Sequence, residues 1–278
     1  TDEVSGETSR QVTGVSVFGG VLSADAVVLA TGGITYPKTG STGDGYAMAA
    51  EVGHSIITPT PSLSALEVQE DWISDLQGLS LKNVTAALYV GGKKITQEFG
   101  EMIFTHFGVS GPIILTLSKT YAGLKDKKDV QISINLKAAL KREQLDQRLI
   151  HEFTQTRFFK NYLPDLLPRK FGPSVIRLTG IPADIQLNNI TSVQRNRLID
   201  LLMDFRLNVT RARATDEAIV TAGGVPIKEI DPRTMESKLV KGLYFCGEVI
   251  DVDAVTGGFN LQAAFSTGWV AGESSAKE

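Results

Sequence analysis

Apolar and polar positions change their rhythm twice along the chain. Residues 10–18 (RQVTGVSVF) alternate through Val12, Val15 and Val17, Gly19-Gly20 gives a turn, and Val21–Asp25 returns. That pattern predicts a small antiparallel ribbon. Ala26–Ala30 is a short, wholly apolar run that ends in Thr31-Gly32-Gly33. Such a run predicts a parallel strand covered on both faces. Residues 40–53 (GSTGDGYAMAAEVG) predict a loop and then a helix stopped by Gly53.

From Pro59 the texture shifts. Pro59, Pro61, Ser62 and Ser64 predict a linker. Val84–Val90, Lys94–Phe99 and Ile113–Leu117 then predict strands, with Gly91-Gly92 as a turn, and VQISINL (130–136) alternates strictly. Residues 140–204 predict helices. Leu145, Leu149 and Phe153 fall four apart, and Leu198, Leu201, Leu202 and Phe205 share one helical face. Thr191 with Gln194 forms a capping box, and Gly180 with Pro182 ends a short helix. Residues 207–220 return to β, GLYFC (242–246) predicts a buried strand, and a helix is expected from about Leu261 to Ala271.

The first and last parts share one texture and the middle has another. The expected fold class is α/β, with one domain interrupted by an insertion. The discontinuous domain spans 1–60 and 215–278. The insertion comprises a β subdomain (61–137 and 205–214) and a helical one (138–204).

Composition narrows the function. Of 278 residues, 42% are apolar and 21% charged, and the formal net charge is −3. The overall acidity argues against a nucleic-acid partner. One cysteine, Cys246, rules out internal disulfides and a cysteine-built metal site, and fits a reducing cytoplasm. Neither Met102–Ser118 nor the glycine-rich Ala254–Gly272 stretch reads as a membrane span. The start at Thr1, without methionine or signal peptide, suggests a fragment or a processed product.

The chemistry sits in glycine-rich turns. Thr31-Gly32-Gly33, Thr221-Ala222-Gly223-Gly224 and Cys246-Gly247-Glu248 each follow an apolar run, and open α/β sheets bind ligands beyond the carboxyl ends of their strands. A plain tight turn explains any one of them alone; three together are more specific. A fourth pair, Gly257-Gly258, runs through Phe259 and Asn260 into Leu261-Gln262-Ala263-Ala264. A helix start presents free N–H donors and partial positive charge, which suits a group that becomes anionic, such as the N1/C2=O edge of a reduced flavin. Ala263 and Ala264 leave room for a flat ring. A packed core helix with a Gly-Gly entry is the competing reading. Glu248 suits ribose or ribityl hydroxyls, or is a solvated loop acid. Cys246 reads as a packing residue. No G-x-G-x-x-G follows a strand and opens a helix.

Four stretches carry a resemblance: AVVLATGGITYPKTGSTGDG (26–45), IFTHFGVSGP (103–112), VTAGGV (220–225) and residues 242–272. In these the chain resembles the YhiN-like or BaiN-like bacterial FAD-dependent oxidoreductases, flavoproteins related to aminoacetone oxidase. The resemblance implies a Rossmann-like FAD-binding domain interrupted by a β-barrel-like and helical insertion, with the family's N-terminal phosphate-binding segment missing here. FAD is the implied cofactor, retained by the full-length parent and in question for the fragment. Thr31, Gly32 and Gly33 would lie by the adenosine, and Gly247 and Glu248 by the ribityl or pyrophosphate. Gly258, Phe259, Asn260 and Leu261 would lie at the isoalloxazine, with Gly223, Gly224 and Gly257 completing the set. No metal site is expected.

His106, within the Phe-Thr-His-x-Gly-x-Ser-Gly-Pro motif, is the best candidate acid or base; a structural histidine is the alternative. His54 and His151 read as surface or packing residues, and Tyr36 and Arg211 as candidates to orient a substrate. The first expected activity is oxidation of a small amine such as aminoacetone with oxygen as acceptor. The alternatives are reduction of conjugated double bonds and a truncated product without bound FAD or catalysis. An RNA-modifying flavoprotein is a third reading, which the acidic balance disfavours. The expected partner is a small-molecule substrate, with no nucleic acid and no membrane, and the oligomeric state is left open.

Overall fold

The computed structural model describes residues 10–213 and 218–277. In chain order the elements are β1 (Arg10–Gln11), β2 (Gly14–Val17), β3 (Gly20–Ser23), β4 (Val27–Leu29), α1 (Asp44–Glu51) and β5 (Ile57–Ser62). There follow β6 (Leu66–Val68), β7 (Ser80–Val90), β8 (Lys93–Phe104), β9 (Gly108–Ser110), α2 (Pro112–Ala122) and β10 (Val130–Asn135). Then come α3 (Arg142–Glu152), α4 (Phe159–Leu166), α5 (Gly172–Thr179), α6 (Ser192–Met203) and β11 (Phe205–Ala212). The chain closes with β12 (Val220–Gly224), β13 (Val240–Lys241), β14 (Leu243–Phe245) and α7 (Phe259–Ser275). It divides into two units, one up to Ser64 and again from Ala214, the other Ala65–Arg213.

The discontinuous unit is a mixed α/β, Rossmann-type assembly. β4 and β14 run parallel, with Val27, Val28 and Leu29 opposite Leu243, Tyr244 and Phe245. β1 pairs with β13 in parallel, and β2–β3 form the expected ribbon. Leu29, Ala49, Val225, Tyr244, Phe245 and Val249 lie in its core. The β4 expectation needs one correction, because Val28 is half-exposed and the strand is covered on one face only. The Pro59–Pro61 stretch is not a linker. It is strand β5, antiparallel to β12 with Pro61 opposite Thr221. A two-stranded pair leaves its outer side without a ladder, so proline is tolerated there.

His54 is buried in this unit. Its Nδ1 meets Glu229 Oε2 at 2.9 Å, its Nε2 meets Ser237 Oγ at 2.8 Å, and its ring stands edge-on to Phe245. Ser237 Oγ also accepts the N–H groups of Leu239 and Val240 at 3.0 and 2.9 Å. The histidine is thus a packing residue that ties the 229–240 segment to the α1–β5 turn.

The inserted unit is a closed six-stranded barrel in the order β10-β11-β6-β9-β8-β7, with helices α2 to α6. Inward residues fall at every second position along the strands. Val84, Ala86 and Leu88 of β7 and Val130, Ile132 and Ile134 of β10 are all buried. Phe104, Phe171 and Phe205 meet edge-to-face in its core. Ile113–Leu117, read as a strand, lies in α2. Gly111 has φ 93°, a Cβ there would sit 2.9 Å from Met102 Cα, and Pro112 occupies the first turn. The run IILTL satisfies either period, and the Gly-Pro entry decides for helix. The α6 capping box forms, with Gln194 N–H donating to Thr191 Oγ1 at 3.3 Å and Thr191 N–H donating to Gln194 Oε1 at 2.9 Å. In the 207–220 reading, residues 214–217 lie outside the described residues.

Candidate functional site

The site is built on the carboxyl ends of β4 and β14 and the start of β12. Glu248, in a 3-10 turn just after β14, is its hub. Its Oε1 accepts the Thr221 N–H at 2.8 Å and the Thr35 hydroxyl at 3.2 Å. Thr221 Oγ1 accepts the Ile34 N–H at 2.9 Å. Three separate glycine turns are thereby drawn into one cluster. Space explains Gly33, since a Cβ there would fall 2.1 Å from Thr221 Oγ1 and 2.5 Å from Glu248 Oε1. Tyr46 donates its hydroxyl to the Glu248 carbonyl at 3.3 Å. Burial first, then the carboxylates of Glu248 and Asp251, push that phenol up to about 12.

Beside this hub lies a cavity of about 830 Å³, within the size range of small-molecule and cofactor sites. Gly247, Glu248, Gly257, Gly258, Asn260 and Leu261 all line it. Helix α7 opens there. Its N-cap, Gly258, is left-handed at φ 87°, and no side chain caps the first-turn N–H groups. A Cβ on Gly258 would meet nothing within 4 Å. Glycine is needed there for backbone conformation, not for lack of space. The Asn260 side chain is committed to the preceding loop. Its Oδ1 accepts the Ala254 N–H at 2.8 Å and its Nδ2 donates to the Ala254 carbonyl at 3.0 Å. What Asn260 can offer a ligand is backbone, while its side chain holds the glycine entry in shape. Thr267 fixes the other edge, accepting the Gly247 N–H at 3.0 Å while donating to the Ala263 carbonyl at 2.8 Å.

The other named residues distribute as follows. Thr31 and Gly32 lie just past β4 and are not in the cavity wall. Thr31 Oγ1 is buried without a hydrogen-bond partner. Gly223 and Gly224 belong to β12. A Cβ on the first would strike the Ile57 and Thr58 carbonyls, and one on the second the Val249 carbonyl at 2.5 Å, so chain packing accounts for both. Phe259 is exposed and outside the cavity wall. Cys246 is buried, which raises its thiol pKa and leaves it a packing residue. His106 sits in the inserted unit, exposed, its ring against Phe107. Arg211 is held in an ion pair with Glu67 at 2.7 Å. Tyr36 does line the cavity, with a left-handed φ of 54°, a conformation worth attention in a non-glycine residue. The apolar wall from Ile227, Ile230, Pro232 and Met235 was not foreseen. It comes from an irregular segment with no periodic signal, although four apolar residues within nine positions of loop were the available hint. Among the described residues no acidic, histidine and cysteine cluster could hold a metal ion, and no helix is long and apolar enough to cross a membrane.

The family model for the HI0933-like protein Rossmann domain matches residues 3–274. The chain belongs to the HI0933-like family. It is a family of FAD-dependent Rossmann-domain proteins. Among relatives of this HI0933-like chain, the 3-dehydro-bile acid delta(4,6)-reductase of Clostridium scindens is 30% identical over 91% of the chain and 63% of its own length. The ribosomal RNA dihydrouridine synthase of Escherichia coli is 31% identical over 90% of the chain and 60% of its own length. The protein of the same name from Haemophilus influenzae is 34% identical over 87% of the chain and 58% of its own length. The HI0933-like chain thus spans about three-fifths of the length of these curated relatives.

Proposed function

We propose that this chain forms the flavin-facing part of an FAD-dependent oxidoreductase that saturates a carbon–carbon double bond conjugated to a carbonyl. The observation that carries the reading is the uncapped start of α7, entered through left-handed Gly258 and opening on the cavity. Free N–H groups and the helix dipole there favour a flavin that gains negative charge on reduction. The residues present fit such a group. The ring edge would rest on the Phe259–Leu261 amides, with small Ala263 and Ala264 in the cavity wall beside it. The orphaned Thr31 hydroxyl offers an unused donor and acceptor for the cofactor's nucleotide half.

The relatives' names favour the reductase alternative over amine oxidation. A delta(4,6)-reductase of a 3-dehydro-bile acid and a dihydrouridine synthase both saturate a double bond conjugated to a carbonyl. FAD held there by the start of α7 would supply the hydride chemistry that such a saturation needs. The protein's share is to exclude water with the apolar wall and to hold the ring against the helix start.

The test separates ring binding from turnover. Lumiflavin, which carries no phosphate, should lose fluorescence on binding the chain. Ala263→Phe, which fills the cavity, should weaken that quenching at least about tenfold, a loss of about 1.4 kcal/mol. Unchanged quenching in the variant sinks the flavin site. With FAD and NADPH the protein should consume an enone or uridine. Peroxide release from aminoacetone without enone consumption would replace the reductase reading with amine oxidation.

A further inference from the structure

We infer that the Tyr36 hydroxyl is the donor that hydrogen-bonds the carbonyl oxygen of the conjugated substrate. This deepens the reductase reading by naming a residue that recognises its substrate, and it rests on that reading. The starting point is a backbone that local chemistry disfavours. Tyr36 has φ 54° and ψ 52°, in the left-handed region, and Pro37 follows it. A bulky side chain is costly in that region, and a proline pushes the residue before it towards extended conformations. Such a conformation persists only where the surroundings impose it, and it gathers at sites that bind or react.

The surroundings do impose it. Upstream, the Ile34 N–H donates to Thr221 Oγ1 at 2.9 Å and the Thr35 hydroxyl to Glu248 Oε1 at 3.2 Å, so the chain reaches Tyr36 already tied to the hub. Downstream, the Thr39 N–H and hydroxyl both donate to the Tyr36 carbonyl, at 2.9 and 2.8 Å. Gly40, left-handed at φ 105°, closes the turn. Burial does not account for this arrangement, because Tyr36 is half-exposed. What the turn achieves is to set a phenol in the wall of the cavity on which α7 opens.

That wall holds few other donors. Its polar side chains are Tyr36, Glu248, Thr256, Asn260 and Thr267. A carboxylate accepts hydrogen bonds, which sets Glu248 aside. The Asn260 amide is spent on Ala254, and the Thr267 hydroxyl on Gly247 and Ala263. Thr256 adjoins Gly257-Gly258, next to the amides assigned to the flavin edge. Among the described residues no group engages the Tyr36 hydroxyl. Ile227, Ile230, Pro232 and Met235 make the wall apolar. A carbonyl that enters an apolar cavity gives up its bonds to water, and one placed donor restores a bond and fixes orientation. The same bond draws electrons towards the oxygen and leaves the β carbon of the conjugated bond more electron-poor.

The experiment uses the full chain without flavin or reductant, and dimethylaminobenzylideneacetone as probe. The absorption of this coloured conjugated enone moves to the red when its carbonyl accepts a hydrogen bond. Wild type should bind the dye and shift it to the red. Tyr36→Phe keeps the ring and should abolish the red shift, with binding weakened about three- to tenfold. Thr256→Val should keep the shift. Tyr36→Phe should also match wild type in urea midpoint and in lumiflavin quenching, since its hydroxyl has no partner in the fold and is not assigned to the ring. A red shift that survives in Tyr36→Phe, or that is lost in Thr256→Val, overturns the inference. So does a lower urea midpoint in Tyr36→Phe, which would give the hydroxyl to the fold, or lost lumiflavin quenching, which would give it to the flavin. The two readings fail separately. Wild type that does not quench lumiflavin sinks the flavin site, whereas wild type that leaves the dye unshifted sinks the role of Tyr36.

Discussion

The barrel unit and the discontinuous unit solve the same problem differently. Six strands close on themselves, so no barrel edge is left unpaired, and the inward residues of β7 and β10 are nearly all fully buried. The Rossmann-type unit pairs its strands two by two. It leaves large apolar side chains in solvent, with Phe18, Val21 and Leu22 on the ribbon and Leu261, Phe265 and Trp269 on α7. Isolated two-stranded pairs are marginal in water. One unit therefore carries its stability in its own core, while the other draws more on specific polar anchors and is the one that carries the candidate site. A ligand bound there would stabilise the folded unit in proportion to the logarithm of its concentration over its dissociation constant.

The largest expected effect lies in the barrel core. Phe104 is fully buried and meets Phe171 and Phe205 at centroid distances of 5.8 and 6.3 Å. Phe104→Ala should cost about 3–5 kcal/mol in urea unfolding. A cost below about 1 kcal/mol would mean that the core is not close-packed, and the contrast between the units would fail.

Next comes the anchor of the other unit. His54→Ala removes the partner of Glu229 and Ser237 and leaves polar groups stranded beside Phe245. The expected loss is about 2–4 kcal/mol. Glu229 also sets an acid limit. Burial raises its pKa, but hydrogen bonds from Ser55 and His54 outweigh burial and hold the carboxyl below its ordinary 4.5. The folded value lies below the unfolded one, so this stabilisation is full above about 4.5 and is lost as the pH falls through the lower, folded value. An acid titration followed by circular dichroism should show a transition that Glu229→Gln removes.

How far the sequence foretold this architecture follows from the range of each signal. The glycine turns, the buried GLYFC strand, the ribbon and the α6 capping box were legible because each is fixed by neighbours a few residues apart. The α7 entry was legible for the same reason, since Gly257-Gly258 before an apolar run specifies a helix start. Ile113–Leu117 misled because its run fits two periods, and Pro61 because its partner lies 160 positions away at Thr221. The Glu248 hub spans Thr35 and Thr221, and no local pattern announces such a meeting. The Asn260 clamp on Ala254 is local, but the same residue type serves equally to contact a ligand.

A smaller effect should come from the surface of the barrel unit. Thr191→Ala removes the side-chain acceptor of the Gln194 N–H at the start of α6. The cost should be about 1 kcal/mol, with Thr191→Ser close to wild type. Loss of several kcal/mol would show that the cap positions packing as well as satisfying a donor.

The smallest effect is the most discriminating, because the sequence has two tryptophans and each unit holds one. Trp269 on α7 is 70% exposed, so Trp269→Ala should change stability by no more than about 0.5 kcal/mol. Trp72 is partly buried, edge-on to Phe205 at 5.7 Å with the Arg177 guanidinium 5.0 Å over its ring. With Trp72→Phe, the remaining emission from Trp269 should be red-shifted and readily quenched by iodide. With Trp269→Phe, the emission from Trp72 should be bluer and better protected. Equal protection of both indoles would mean that the apolar face of α7 is covered in solution, and the contrast between a closed unit and an open one would have to be withdrawn.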